Sequence, residues 1–172
     1  MKVLGVVGWS GSGKTALLVA LLPLLRVGGL RVSTIKHAHH GFDMDRPGKD
    51  SYRHREAGAH EVLVAASGRW ALLHEVVGPE PTLTELLEKL EPVDLVLVEG
   101  FKSHPFPKLE VYRPALSKPP IWRTESDVVA VASDEPTDAD GRTCLPLNDP
   151  VSVAQWVMDY FRRDRGQQSL SG

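Results

Sequence analysis

A single cysteine, Cys144, among 172 residues excludes an internal disulfide. A chain that folds without one suits a reducing compartment, the cytoplasm. The lone thiol is read most simply as a small buried apolar side chain. Excess charge is lacking too. The 20 Lys and Arg against 22 Asp and Glu leave a formal net charge of −2, so there is no bulk attraction to nucleic acid or to an anionic membrane. No apolar run approaches the roughly 20 residues that a membrane helix needs. The chain starts directly on a strand pattern, without the basic region, apolar run and cleavage site of a signal peptide. Internal repeats, low-complexity tracts and linkers are also missing. A single domain over residues 1–163 is expected, with a loose polar tail at 164–172.

What is present begins eight residues in. Gly8-Trp9-Ser10-Gly11-Ser12-Gly13-Lys14-Thr15 fits the phosphate-loop pattern G-x-x-x-x-G-K-[ST]. The apolar run Val3–Val7 before it reads as a buried strand, and Ala16–Arg26 after it as a helix stopped by Gly28-Gly29. Strand, glycine loop and helix form the setting in which backbone N–H groups and a helix N-terminus face phosphate oxygens. Lys14 would add a full charge toward the β- and γ-phosphates, and Thr15 a hydroxyl toward Mg²⁺.

Further along, Arg31–Lys36 reads as a strand, His37–Asp50 as a long polar loop and Ser51–Ala59 as a short helix. Two apolar runs, Glu61–Ala66 and Arg69–Val77, split by Ser67-Gly68, predict a hairpin that adds an antiparallel edge to the sheet. Its Trp70-Ala71-Leu72-Leu73 strand would invite pairing with a second copy. Thr82 with Glu85 forms a capping box at a helix start. Leu95–Val98 and Val128–Ala132 read as buried parallel strands. Lys102–Pro120, with five prolines, reads as irregular apart from a short strand at Leu109–Tyr112. Asn148-Asp149-Pro150 opens a last helix, Val151 to about Arg163. The alternation gives an α/β fold: a three-layer P-loop NTPase with a mainly parallel sheet and an antiparallel hairpin.

Ligands of such sheets sit at the carboxyl ends of the strands. Of the two acids flanking Leu95–Val98, Asp94 starts the strand and Glu99 ends it, roughly 17 Å apart by strand rise. Only Glu99 can lie near the loop, as a Mg²⁺ ligand or a water-orienting group. The segment Lys36-His37-Ala38-His39-His40 lacks zinc-type spacing and reads as a phosphate- or partner-contacting loop. Asp43 and Asp45 could reach Mg²⁺ through water, while Asp50 or Ser51 could cap the helix that follows. No Asn-Lys-x-Asp segment reads guanine. Asn148-Asp149 could substitute for it, or could simply cap the last helix. Arg113 and Arg123 fall in the irregular segment and could approach a site, for instance across a dimer, but neither is placed as an arginine finger, so any hydrolysis should be slow. The same loop and acid would also suit an ATP-dependent small-molecule kinase or ligase, although such enzymes usually carry an arginine-rich lid.

The phosphate loop, the Lys36–His40 loop, Pro47-Gly48-Lys49-Asp50-Ser51 before Ala57-Gly58-Ala59, Val98-Glu99-Gly100-Phe101-Lys102 and the Asn148-Asp149-Pro150 helix start together resemble MobB, the adapter family of molybdopterin-guanine dinucleotide biosynthesis. The resemblance covers nearly the whole chain. It implies a cytoplasmic homodimer that binds GTP with Mg²⁺ and hydrolyses it weakly at best. It also implies action with MobA, the guanylyltransferase that joins GMP to molybdopterin, and it leaves open whether molybdopterin binds directly. By position, Gly8 to Thr15 would hold the phosphates, with Glu99 near the metal. Lys36, His37, Asp45, Lys49 and Asp50 would line a facing loop, with Lys102 near phosphate or a partner's ligand.

Overall fold

The protein is described by a computed structural model covering residues 1–38 and 41–168. His39, His40 and the last four residues of the expected tail, 169–172, lie outside the described residues. Two compact units are distinguished, one formed by Met1–His37 with Glu91–Gly172, the other by Ala38–Leu90.

The first unit is built on strands β1 (Lys2–Val7) and β2 (Val32–Lys36) and helix α1 (Lys14–Val27). Four later strands belong to the same sheet: Leu95–Glu99, Lys108–Tyr112, Val128–Ser133 and Thr143–Pro146. In chain order these are β5 to β8, because the second unit contributes β3 and β4. The six strands lie in the order β2-β5-β1-β6-β7-β8, and every pairing is parallel. Apolar residues on one face, among them Leu4, Val6, Leu97, Leu109 and Val111, pack with Leu17, Leu18, Leu21 and Leu25 of α1. The leucine spacing places that stripe on one side of the helix. A last helix, Pro150–Gln168, adds Val153, Ala154 and Val157 to the same core. On the opposite face a smaller cluster joins Val7, Val128 and Val131 to Ile121 and Trp122 of a 3₁₀ turn, Ile121–Arg123.

In the second unit, helix α2 (Asp50–Glu56) precedes strands β3 (Glu61–Ala66) and β4 (Arg69–His74), and helix α3 (Leu83–Glu88) follows; the Pro150 helix is thus α4. The β3–β4 hairpin pairs from Glu61↔His74 to Ala66↔Arg69. At α3 the capping box forms as predicted. The Glu85 N–H donates to Thr82 Oγ1 at 3.3 Å, and the Thr82 N–H donates to Glu85 Oε2 at 2.7 Å.

Several expectations are corrected. The hairpin adds no antiparallel edge to the main sheet: it is a separate two-stranded sheet, since β3 and β4 pair only with each other. Lys108–Tyr112 is an interior strand between β1 and β7. Two of its charged side chains, Lys108 and Glu110, are 0% exposed. Burying charges costs several kcal/mol unless partners offset it, and both have partners. Lys108 Nζ donates to the His104 carbonyl at 2.7 Å and to Asp127 Oδ2 at 3.3 Å. Glu110 accepts the N–H groups of Ile121 and Trp122 at 2.9 and 2.8 Å, pinning the 3₁₀ turn to the sheet. Edge strand β8 was not expected. Helix α4 continues to Gln168, past the expected end near Arg163. Cys144 is exposed rather than buried, and its thiol donates to the Thr137 carbonyl. Neither Asp50 nor Ser51 caps α2: Lys49 holds that position without a side-chain bond, and the Ser51 hydroxyl donates to Asp45 Oδ1 instead.

Candidate functional site

Beyond Val7 the chain turns into the glycine loop at the point where the strand order reverses around β1, which is where open parallel sheets bind ligands. Three loop glycines have positive φ: Gly8 at 151°, Gly11 at 79° and Gly13 at 100°. Gly8 has a second reason to be glycine. A Cβ there would lie 2.5 Å from the Val111 carbonyl oxygen and 2.6 Å from Ser12 Oγ. The loop closes with the Ser12 N–H donating to the Trp9 carbonyl at 3.1 Å. It then feeds α1, whose N-cap Gly13 makes no side-chain capping bond and whose first turn holds no acid. An α-helix leaves its first N–H groups without intrahelical partners, so this end is suited to an external anion. Lys14 and Thr15 open the helix. The Lys14 ammonium reaches back across the loop to the Trp9 carbonyl at 3.0 Å. Burial lowers the Lys14 pKa from its ordinary value; Glu99 opposes the shift, and Lys102 and Lys36 reinforce it.

Glu99 ends β5 level with Val6 of β1 and Lys36 of β2, as its position in the strand predicted. Its side chain is largely buried, with the Lys36 ammonium 3.9 Å from Oε2. The chain then passes tightly through Gly100, at φ 109°, where a Cβ would stand 2.5 Å from the Cβ of His37. The His37 N–H donates to the Glu99 carbonyl at 2.8 Å, and its ring packs on Phe101 at 4.7 Å between centroids. Lys102 lies over the Trp9 ring, 5.2 Å from its centroid, while Trp9 Nε1 donates to the Pro119 carbonyl at 2.7 Å. Lys14, Lys36, His37, Glu99 and Lys102 therefore gather around the loop. Asp94 sits at the opposite end of β5, where it accepts the Arg31 N–H at 2.8 Å.

One residue at this site had no assigned role in the sequence. Arg113 follows β6, donates from Nε to the Ser12 carbonyl at 2.9 Å, and pairs through Nη1 with Asp134 at the end of β7. No motif signals it, because only the β1–β6 pairing brings it to the loop. Arg123 is exposed on its 3₁₀ turn.

Asp149 caps α4. Its Oδ1 accepts the Val151 and Ser152 N–H groups at 3.1 and 3.2 Å, and Oδ2 accepts the Ser152 hydroxyl. The Ser152 hydroxyl bond, with the backbone bonds behind it, holds the Asp149 carboxyl below its ordinary pKa. Asp45, Lys49 and Asp50 belong to the second unit. There Asp45 Oδ1 accepts from the Arg46 N–H and the Ser51 hydroxyl, while its buried Oδ2 has no partner among the described residues. Asp43 pairs with Arg55 at 2.6 Å.

The residues fit a phosphate with Mg²⁺. The cradle would be filled by a Cβ at Gly8, and the helix end behind it is uncapped. Thr15 and Glu99 supply oxygen donors of the type Mg²⁺ takes. No group of three or more His, Cys, Asp or Glu among the described residues could hold a metal. A cation here would thus depend on ligand phosphate oxygens, as Mg²⁺ in nucleotide sites usually does. No helix among the described residues is long and apolar enough to cross a membrane.

Known proteins resemble the chain over nearly its whole length. Over 169 residues the chain is 41% identical to the molybdopterin-guanine dinucleotide biosynthesis adapter protein of Haemophilus influenzae, covering 96% of this chain and 93% of the relative. Identity to the adapter protein of the same description from Escherichia coli is 39% over 170 residues, 96% of this chain and 97% of the relative. The crystal structure of a molybdopterin-guanine biosynthesis protein B superimposes with a TM-score of 0.73 at 27% identity, over 92% of this chain and 99% of the other. That of Bacillus subtilis MobB gives 0.72 at 28% identity, over 92% and 97%. Residues 3–134 match the family described as molybdopterin guanine dinucleotide synthesis protein B, and the chain belongs to that family, MobB.

Proposed function

We propose that this protein is a Mg²⁺-dependent GTP-binding adapter with weak GTPase activity, serving a MobA-type guanylyltransferase in molybdopterin-guanine dinucleotide biosynthesis. The observation that carries the nucleotide part is the uncapped α1 N-terminus behind three left-handed glycines, with Glu99 ending the neighbouring strand. The adapter part rests on family membership and on the relatives' description as adapter proteins. In this reading Gly8 to Thr15 hold the phosphates, and Thr15 and Glu99 serve the metal. Lys36, His37 and Lys102 form the surface that meets phosphate or partner. The bound metal would neutralise charge on the phosphate oxygens. Slow turnover is favoured by the commitment of Arg113 to Ser12 and Asp134.

Choice of GTP over ATP rests on the family rather than on a base-reading side chain. An ionised carboxylate offers about four acceptor sites, and the α4 cap uses most of those of Asp149. Asn148 and Asp149 keep a role in base recognition only if binding releases that cap.

A homodimer is part of the proposal. Leu63, Trp70 and Leu72 lie on one face of the β3–β4 hairpin and are 61%, 62% and 44% exposed. A two-stranded sheet with an apolar face and open edges is rarely stable alone, and a second copy would cover it. The test of the nucleotide assignment uses Lys14→Ala and Glu99→Gln. Lys14→Ala is expected to weaken nucleotide binding at least tenfold, and Glu99→Gln to remove the gain that Mg²⁺ brings. Unchanged affinity in Lys14→Ala would refute the phosphate-loop assignment.

A further inference from the structure

We propose that Arg113 is a positioning residue for nucleotide binding: by holding the Ser12 carbonyl it orients and polarises the Gly13 N–H for a phosphate oxygen. The inference rests on the phosphate-loop reading and adds a residue outside its motif.

The covalent geometry carries the first step. A trans peptide is planar, with its C=O and N–H bonds pointing to opposite sides. Ser12 C=O and Gly13 N–H belong to one peptide unit. Arg113 Nε donates to that carbonyl at 2.9 Å. Gly13 N–H is therefore turned to the side of the peptide away from the guanidinium. A peptide whose φ at Gly13 is 100° has glycine's wide freedom to rotate, so an external hold on the carbonyl decides its direction. A positive donor on the oxygen also draws electron density from the amide, and chained hydrogen bonds strengthen one another in this way.

The guanidinium is itself fixed. Nη1 is paired with Asp134, whose other oxygen, Oδ1, is buried without a hydrogen-bond partner among the described residues. The fork lies close to the loop, with Nη2 3.5 Å and Nε 3.7 Å from the point where a Cβ on Gly13 would stand. Both anchors come from rigid elements, since Arg113 follows β6 and Asp134 follows β7 in paired register. The arrangement needs the planar fork of arginine. A lysine ammonium is a single point of charge and does not reproduce two separated, oriented bonds.

The experiment is calorimetric titration of GDP with Mg²⁺ into the unmodified protein, Arg113→Gln and Arg113→Lys. Each is followed by ¹H–¹⁵N spectra of the Gly13 amide in the GDP complex. Both variants are expected to bind GDP about tenfold more weakly, the usual scale for losing a charge-assisted hydrogen bond. The Gly13 amide proton is expected to move upfield from its place in the unmodified complex. Affinity within twofold in Arg113→Gln, full rescue by Arg113→Lys, or an unmoved Gly13 resonance would each overturn the proposal. Rescue by lysine would mean that charge alone matters, and an unmoved resonance that Arg113 only staples the fold. Should neither Arg113 variant fold, Asp134→Ala carries the test, with a smaller loss of about threefold expected from loosening the fork and no loss overturning the proposal. If the unmodified protein fails to bind GDP, the phosphate-loop reading falls, and this inference with it.

Discussion

Gly8→Ala is the substitution whose effect the structure defines most fully. The residue sits at φ 151°, a region that L side chains reach only with strain, worth about 1–3 kcal/mol. The new methyl would stand 2.5 Å from the Val111 carbonyl oxygen and 2.6 Å from Ser12 Oγ. Neither neighbour yields easily. Val111 is backbone in an interior strand and Ser12 is 1% exposed. Overpacking of this kind adds about 1–3 kcal/mol, so the total is about 2–6 kcal/mol. For a chain of this length each kcal/mol lowers the melting temperature by about 2–4 °C, and a fall of at least about 4 °C is expected. Because the clash is at the base of the loop, GDP affinity should fall with it. Gly68→Ala is the control, since a Cβ there meets nothing within 4 Å, and its effect should stay within about 0.5 kcal/mol. Scanning calorimetry and a GDP titration on both variants provide the assay. A Gly8→Ala protein that melts and binds like the unmodified one would refute the packing argument.

Glu110→Gln tests the buried carboxylate of β6. Burial raises its pKa from the ordinary 4.5 against the opposing backbone bonds from Ile121 and Trp122. The folded state therefore holds this proton more tightly than the unfolded state does. Stability from the group is complete below about 4.5 and declines as pH rises toward the raised value. Denaturant titrations across that range should show the unmodified protein losing stability relative to Glu110→Gln; parallel curves would contradict the shift. Thr82→Ala removes the α3 capping box and should cost about 1 kcal/mol of local stability, read as faster amide exchange over Leu83–Glu88. Unchanged exchange would show that packing alone holds the helix. Trp70→Glu with Leu72→Glu places charge on the exposed hairpin face and should convert a sedimenting dimer to monomer. A dimer that survives it uses another surface.

The glycine loop was legible because its letters follow a fixed spacing within eight residues, and the observed positive φ values at Gly8, Gly11 and Gly13 are what those glycines permit. The helix caps at Thr82 and Asp149 were legible for a similar reason, as local chemistry within a few residues. Glu99 followed from strand polarity. Strand β6 was partly hidden, because Lys108 and Glu110 place charges where a buried strand usually has apolar side chains and because prolines flank it. Their partners, Asp127 and the N–H groups of Ile121 and Trp122, are distant in sequence. The hairpin's pairing was visible in its turn and alternation, but not its separation from the sheet, which depends on non-local pairing. Arg113 could be suspected but its place at the loop could not be read, for the same reason: its contact with Ser12 spans 101 positions and exists only once β6 lies beside β1.

The central claim is that the loop binds a guanine nucleotide with Mg²⁺. It is tested most directly by titrating the protein with hydrolysis-resistant GTP and ATP analogues, with and without Mg²⁺. Saturable binding of the GTP analogue is expected, tightening with Mg²⁺ and exceeding that of the ATP analogue. Preference for the ATP analogue, or no binding of either, would contradict it.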